Sequence, residues 1–265
     1  VNQDVSAQYK TPANLNARAN LHARFSTNPT GWLPWVFDHI RKRLPEKARI
    51  LEAGCGPGGL WAENRDRIPA GWKLTLSDFS EGMVARAKEV TAQAGLDAEC
   101  LQTDVQDLPF DNDTFDAVIA NHMLYHVPDI DRGLSEIKRV LKTGGILFAA
   151  TNGDGHMQEL YDLCRTYNPA VKVKRDPFPL LFGLENVAEI LARYFPSVER
   201  VDYDCDLRVD EARPIVDYVC SLEGVDIGVE PIVEERVQFQ AFLEALIRER
   251  GAIHISKSVG IWIAQ

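Results

Sequence analysis

Residues 50–60 read Ile-Leu-Glu-Ala-Gly-Cys-Gly-Pro-Gly-Gly-Leu, an apolar run that leads directly into a glycine-rich turn. Glycines 54, 56 and 58 carry no Cβ, so the turn can adopt unusual backbone angles and lie flat against a ligand. A helix beginning near Gly59 would aim its N-terminal N–H groups at the same place. Gly54, Gly56 and Gly59 satisfy G-x-G-x-x-G, the dinucleotide fingerprint. Asp78, 24 residues after Gly54, stands where a carboxylate accepts both hydroxyls of a ribose. On this feature alone two chemistries are open: hydride transfer with NAD and methyl transfer with S-adenosylmethionine.

Strand-like and helix-like segments alternate from residue 49 to about 151, which predicts an α/β fold with a parallel sheet covered on both faces. The strands are expected at Arg49–Ala53, Trp72–Ser77, Ala98–Gln102, Phe115–Ala120 and Ile146–Thr151. Ser80 sits at a helix N-cap, and Met83, Val84, Ala87, Val90 and Ala94 follow at helical spacing up to Gly95. Asp131 opens a further helix with Leu134, Ile137 and Leu141 on one face. Beyond residue 151 the expected order is a helix at Met157–Tyr167, a loop at Pro169–Phe182, a helix at Leu184–Phe195 and one long strand at Val198–Val209. Two Glu-rich helices in 210–250 and a β segment at Ala252–Ala264 around Gly260 complete the chain. Residues 1–46, with Trp32, Trp35 and Phe37, are expected to form a helical cover on a domain spanning 47–265. Lid insertions are expected at about 152–183 and 210–250.

Composition narrows the function classes. The 265 residues are 45% hydrophobic, enough for a full core. The formal net charge is −10, and the longest basic runs, Arg41–Arg43 and Lys172–Arg175, are short. A nucleic-acid groove needs clustered Lys and Arg, so no nucleic-acid partner is expected. The five cysteines form no C-x-x-C pair, which points to neither a disulfide framework nor a zinc ribbon. Val1–Lys10 is polar, and no apolar run approaches the ~20 residues of a membrane helix. A cytoplasmic protein with no membrane partner is the expectation.

Three features separate the two chemistries. Glu52 lies in the strand just before the glycines. NAD-binding strands are usually apolar there, whereas a carboxylate suits a cofactor carrying an ammonium and a sulfonium. Asp104 follows the third strand, placed to accept from an adenine amine. The run from Leu108 to His122 then leads a strand toward the far end of the cofactor.

Leu51–Gly58, Ser77-Asp78-Phe79-Ser80, Asp104-Val105 with Leu108-Pro109-Phe110, and Arg139–Gly145 resemble the ordered motifs of class I S-adenosylmethionine-dependent methyltransferases. The likeness is greatest to the small-molecule branch that includes ubiquinone and menaquinone biosynthesis methyltransferases, and it covers roughly residues 48–151. The resemblance implies a Rossmann-like, seven-stranded, mostly parallel sheet whose last strand is antiparallel, supplied here by 252–264. It implies S-adenosylmethionine as cofactor, with Glu52, Gly54, Cys55 and Gly56 at its amino-acid end and Asp78 at its ribose. Phe79 and Met83 would flank the adenine, Asp104 and Val105 would read its edge, and Asn121 would bring its backbone near the methionine moiety.

His122 and His126 stand four apart, a metal-ligand spacing on a helix, but no Glu follows the first and no third ligand is evident. No metal is expected. His122 lies nearer the expected methyl group and is a candidate general base. The family builds its acceptor pockets from the N-terminal segment, the loop after the fourth strand and the insertion after the fifth. Those segments supply His22, Trp32, Tyr125, Tyr161, Phe178 and Phe182 as pocket candidates. The function expected is methyl transfer to a small organic acceptor by in-line displacement. The alternatives are an NAD-dependent oxidoreductase and a non-catalytic, S-adenosylmethionine-binding regulatory protein. The oligomeric state is not legible in the sequence.

Overall fold

The computed structural model describes residues 12–169, 172–173, 178–222, 225–226 and 233–265. Its centre is a seven-stranded sheet in the order β3-β2-β1-β4-β5-β11-β7. These strands are β1 (Lys47–Ala53), β2 (Gly71–Asp78), β3 (Ala98–Gln102), β4 (Phe115–Asn121), β5 (Leu141–Asn152), β7 (Val198–Asp202) and β11 (Val259–Ala264). β11 runs antiparallel to both β5 and β7, and the four remaining pairs of neighbours, from β3 to β5, are parallel. The Rossmann-like sheet with an antiparallel last strand is therefore present.

The chain builds outward from β1 to β3 and then returns to lay β4 on the other side of β1. A crevice opens outside the carboxyl ends of strands where the order reverses in this way. In register, Glu52 pairs with Leu76 of β2 and Ile119 of β4, and Asp78 with Gln102 of β3. The turns after β1, β2, β3 and β4 thus share one rim.

Because successive residues of a strand point to opposite faces, β1 feeds two cores. Leu51 and Ala53 join Val118, Leu147, Leu134 and Ile137 on one face, the last two from the helix α5 (Ile130–Val140). Ile50 joins Ala117, Ile119, Phe148, Trp61 and Phe37 on the other. Phe37 belongs to α2 (Trp32–Arg43), whose apolar stripe of Val36, Phe37 and Ile40 is buried. α3 (Gly59–Glu63) and α4 (Glu81–Gln93) lie on this side too, the latter capped by Ser80, which accepts from Met83 N.

A third core lies off the sheet. It joins Leu21 and Phe25 of α1 (Pro12–Phe25), Leu160 and Cys164 of α6 (Gln158–Tyr167), Ile215 and Val219 of α9 (Ala212–Cys220), and Phe239 and Leu243 of α10 (Val233–Arg250). Two short strands, β8 (Leu207–Val209) and β10 (Ile253–Ile255), pair antiparallel inside it. The cover is thus woven from both ends of the chain, with α1 in this core and α2 on the sheet.

The structure corrects four expectations. The long strand at 198–209 is two, because Asp206 gives its carbonyl to Thr27 N and Ser26 bridges to Leu207. The chain leaves β7 and re-enters β structure in the cover. The segment at 252–264 divides in the same way, into β10 and β11, with Ser256–Ser258 between them. The expected loop at 169–182 holds a helical turn, α7 (Phe178–Phe182), and a two-residue strand, β6 (Lys172–Val173), paired with β9 (Val225–Asp226). Pro179 is tolerated in the first turn of α7, where its missing N–H would have no helical partner. The expected helix 184–195 is regular only over α8 (Val187–Leu191), continuing as turns to Phe195.

The antiparallel strand β11 depends on Gly260, where an added Cβ would lie 2.6 Å from the carbonyl oxygen of Val201. Gly260→Val is expected to destabilise the fold by about 2–3 kcal/mol. Gly155→Ala, whose Cβ would meet nothing within 4 Å, is expected to stay within about 0.5 kcal/mol of the parent. Urea denaturation of the two variants checks both; equal stabilities would refute the close approach.

Candidate functional site

The glycine turn folds as its sequence requires. Gly54, Gly56 and Gly58 have φ of 68°, 52° and 77°, a left-handed region costly for other residues. Cys55 N donates to Ser77 O and Gly58 N to Cys55 O, which moors the turn to β2. A Cβ on Gly54 would strike the Met123 side chain at 2.6 Å, whereas one on Gly56 would meet nothing within 4 Å. One face of the turn is therefore packed and the other open. Cys55 turns its thiol into the core, where burial pushes its pKa up, so only its backbone can face a ligand.

Asp78 ends β2. One carboxylate oxygen accepts Gly56 N and the other Ser80 N, each at 2.9 Å. Phe79, next in the chain, is 67% exposed on the rim. Met83 is half-buried in the first turn of α4. Asp104 accepts Gln106 N at 2.9 Å and the Gln106 amide at 3.0 Å, holding the turn after β3. Val105 is buried against Gly133 in the sheet core, so its backbone alone is available to the rim.

Glu52 is the electrostatic anomaly. It is 2% exposed, and one carboxylate oxygen accepts Trp61 Nε1 at 2.7 Å. Burial pushes its pKa up to about 8, the nearby Asp78 carboxylate adding to the rise and the indole bond opposing it. A carboxyl group so placed is neutral below pH 8, and it ionises readily only when a cation stands beside it.

Across the crevice, Asn121 ends β4 and its side-chain oxygen accepts Trp32 Nε1 at 3.3 Å. The Trp32 ring lies 5.1 Å from His122, 5.3 Å from Trp35 and 5.3 Å from Tyr203. His122 has φ 56°, a strained backbone for a side-chain-bearing residue, fixed by its N–H to Ala150 O. Tyr125 is 6.4 Å from His122, ring to ring. His22, from α1, approaches His156 at 6.3 Å and Tyr218 at 5.8 Å. Burial is the main cause that lowers the imidazole pKa values, to about 3 for His22 and about 4 for His122 and His126, and well below the usual range for His156.

The structure thus brings Glu52, Gly54, Gly56 and Asp78 to one side of the crevice and Asn121, His122, Trp32 and Tyr125 to the other. Two pocket candidates stand apart. Tyr161 is half-buried on α6 against the cover core, and Phe182 is fully enclosed in the sheet core, its carbonyl accepting Thr151 Oγ1. The side chain of Phe178 lies outside the described residues. Sequence reading missed His156, Tyr203, Cys205 and Lys257. No local pattern marks them; the breaks in the divided strands hold Tyr203, Cys205 and Lys257, and the turn after β5 holds His156. Among the described residues no group of three or more His, Cys, Asp or Glu is placed to hold a metal ion, and no helix is long and apolar enough to cross a membrane.

Comparison with known proteins follows this geometry. A methyltransferase-domain family profile matches residues 51–149. Malonyl-[acyl-carrier protein] O-methyltransferase of Geobacter sulfurreducens is 28% identical over 206 residues, 77% of this chain and 75% of that protein. A ubiquinone biosynthesis O-methyltransferase of Mesorhizobium japonicum is 31% identical over 134 residues, 51% of this chain and 49% of its own. That match, like several others, spans about half the length of the relative. The fold is shared with the YcgJ protein of Bacillus subtilis at a TM-score of 0.55 and 16% identity, over 86% of this chain and 96% of that one.

Glu52 generates a stability prediction. Its folded pKa, about 8, lies above the ~4.3 of an unfolded glutamate. The folded state therefore loses stability as pH rises from about 4.5 toward 8, by roughly 3 kcal/mol at pH 7. Glu52→Gln cannot ionise and is expected to remove this contribution, so the ligand-free variant gains on the parent as pH rises. Denaturant unfolding of both at pH 5, 6, 7 and 8 measures the difference; a pH-independent difference would show that Glu52 is ionised throughout.

Proposed function

We propose that this chain, whose residues 51–149 match a methyltransferase-domain family, is a class I S-adenosylmethionine-dependent methyltransferase that methylates a small organic acceptor by in-line displacement at the β1/β4 crevice. The observation that carries this reading is Glu52, a buried carboxyl group that has, among the described residues, one side-chain hydrogen bond and no cation, behind an open glycine turn. An ammonium with a sulfonium nearby supplies the positive charge that such a group lacks. A pyrophosphate does the opposite: it brings negative charge and no cation toward the buried Glu52, which weighs against NAD.

When bound, S-adenosylmethionine supplies an electrophilic methyl group on a sulfonium that leaves as a neutral thioether. We assign Glu52, the backbone of Gly54 and Cys55, and the open face of Gly56 to its amino-acid end. Asp78 keeps lone pairs beyond its two backbone bonds and is assigned to the ribose hydroxyls. Phe79 and Met83 are assigned to the adenine faces, the turn Asp104-Val105 to its edge, and the Asn121 backbone to the methionine moiety. Trp32, fixed by Asn121, then walls the acceptor side together with His122, His22 and Tyr125.

In-line transfer gains chiefly from orientation and exclusion of water. Trp32 and the strained, fixed backbone of His122 serve both ends. The imidazole of His122, with a pKa of about 4, is neutral at pH 7 and accepts a hydrogen bond. It is a weak base there, since an effective general base has a pKa near the working pH. An acceptor proton goes to His122 only where the transferring group is already acidic. The chain's main contribution on this side is to position the acceptor.

The cofactor assignment is tested by calorimetry with S-adenosylhomocysteine, which keeps the ammonium. Binding is expected to release a proton from Glu52, so affinity rises with pH, approaching about tenfold per unit below pH 8 and levelling above it. Asp78→Ala is expected to weaken binding by at least about tenfold. NADH binding in place of S-adenosylhomocysteine, or proton uptake in place of release, would overturn the assignment.

A further inference from the structure

The acceptor side concentrates basic groups in a chain whose formal net charge is −10. Arg18 and His22 come from α1, His122 and His126 from the turn after β4, His156 from the turn after β5, and Lys257 from the break between β10 and β11. Four of the six histidines in the chain are here. Among the described residues, the charges that act on His22, His122 and His156 are Lys257 and neighbouring imidazoles. The acids that approach the cluster are engaged elsewhere. Glu159 accepts Ser256 N and Oγ, and Asp206, the carboxylate that acts on Lys257, accepts the Lys257 backbone N–H.

Two details show polar capacity in the cluster that the described residues do not meet. The Nδ1 atoms of His22 and His156 are buried without a hydrogen-bond partner among the described residues. Such an atom is costly to leave without a partner. Lys257 forms no ion pair among the described residues. Its Nζ lies 3.8 Å from Cys205 Sγ and 5.2 Å over the Tyr203 ring, and burial lowers its pKa. His22, His122 and His156 are each half-buried. Tyr203 also meets Trp32 and Trp35, so the aromatic wall runs on to the ring that Lys257 lies over.

We propose that the methyl acceptor is an anion, a small molecule with a flat apolar body against Trp32 and Tyr203 and a carboxylate directed at Lys257 and His22. The inference rests on the methyltransferase reading and gives its acceptor a chemical class. An anion gives Lys257 Nζ a direct carboxylate partner beside the Cys205 thiol and the Tyr203 ring, and it accepts from a His22 N–H; rings alone would leave both unmet. Desolvation strengthens such a contact once the recess closes on the ligand.

The test uses the full chain saturated with S-adenosylhomocysteine and compares 2-naphthoate with its neutral isostere 2-naphthamide by calorimetry at pH 7.5. The carboxylate is expected to bind at least about tenfold more tightly than the amide. Lys257→Met is expected to bring the ratio to near one and Lys257→Arg to preserve it. Both variants are to retain S-adenosylhomocysteine affinity, which shows that they are folded. Equal binding of the two probes, a preference for the amide, failure of both to bind, or a carboxylate preference that survives in Lys257→Met would each overturn the proposal. Loss of S-adenosylhomocysteine binding by the parent chain would overturn the methyltransferase site itself.

Discussion

Asp78 holds the crevice together. Its two oxygens reach back to Gly56 and forward to Ser80, so one carboxylate fixes both the glycine turn after β1 and the start of α4. Each bond joins an ionised acceptor to a backbone N–H, the stronger kind of hydrogen bond, and burial shields both from water. The turn is unable to close on itself, since Gly54 is already pressed against Met123. The open face of Gly56 is what remains. Glu52 sits behind that face, buried and short of a cation, and the preference for a positively charged ligand follows from the pair of acids.

The opposite wall is made of parts that are distant in sequence. Trp32 reaches Asn121 across 89 residues, and Tyr203 and Lys257 arrive from strands that leave the sheet early. The sheet core and the cover core are separate clusters, and the recess lies where they meet. On the proposed reading, the donor half rests on the sheet and the acceptor half on the seam.

Legibility in the sequence followed this division. Strands β1 to β4 and the capped helix α4 were readable because period, turn chemistry and caps are local signals. Glu52, Gly54, Gly56 and Asp78 could be placed together because each stands at the end of a parallel strand, and parallel strands end on one rim. The division of 198–209 was not readable. Its cause is Thr27, nearly 180 residues away, taking the carbonyl of Asp206. His156 and Lys257 were invisible for the same reason, each standing in an unremarkable turn. Phe182 looked like a pocket residue by position, but the turn of α7 carries its ring into the sheet core.

The two divided strands have a mechanical consequence. The cover's β8 and β10 are joined to the sheet's β7 and β11 through residues 203–206 and 256–258, short stretches outside the strands. The shortest covalent links between the two cores therefore run beside Tyr203, Cys205 and Lys257. A molecule gripped from both sides of that seam acts as a fastener, adding its contacts between the two cores. Its binding would tighten the cover onto the sheet and be felt first as slower amide exchange in β8 and β10, well before any change within β1 to β4.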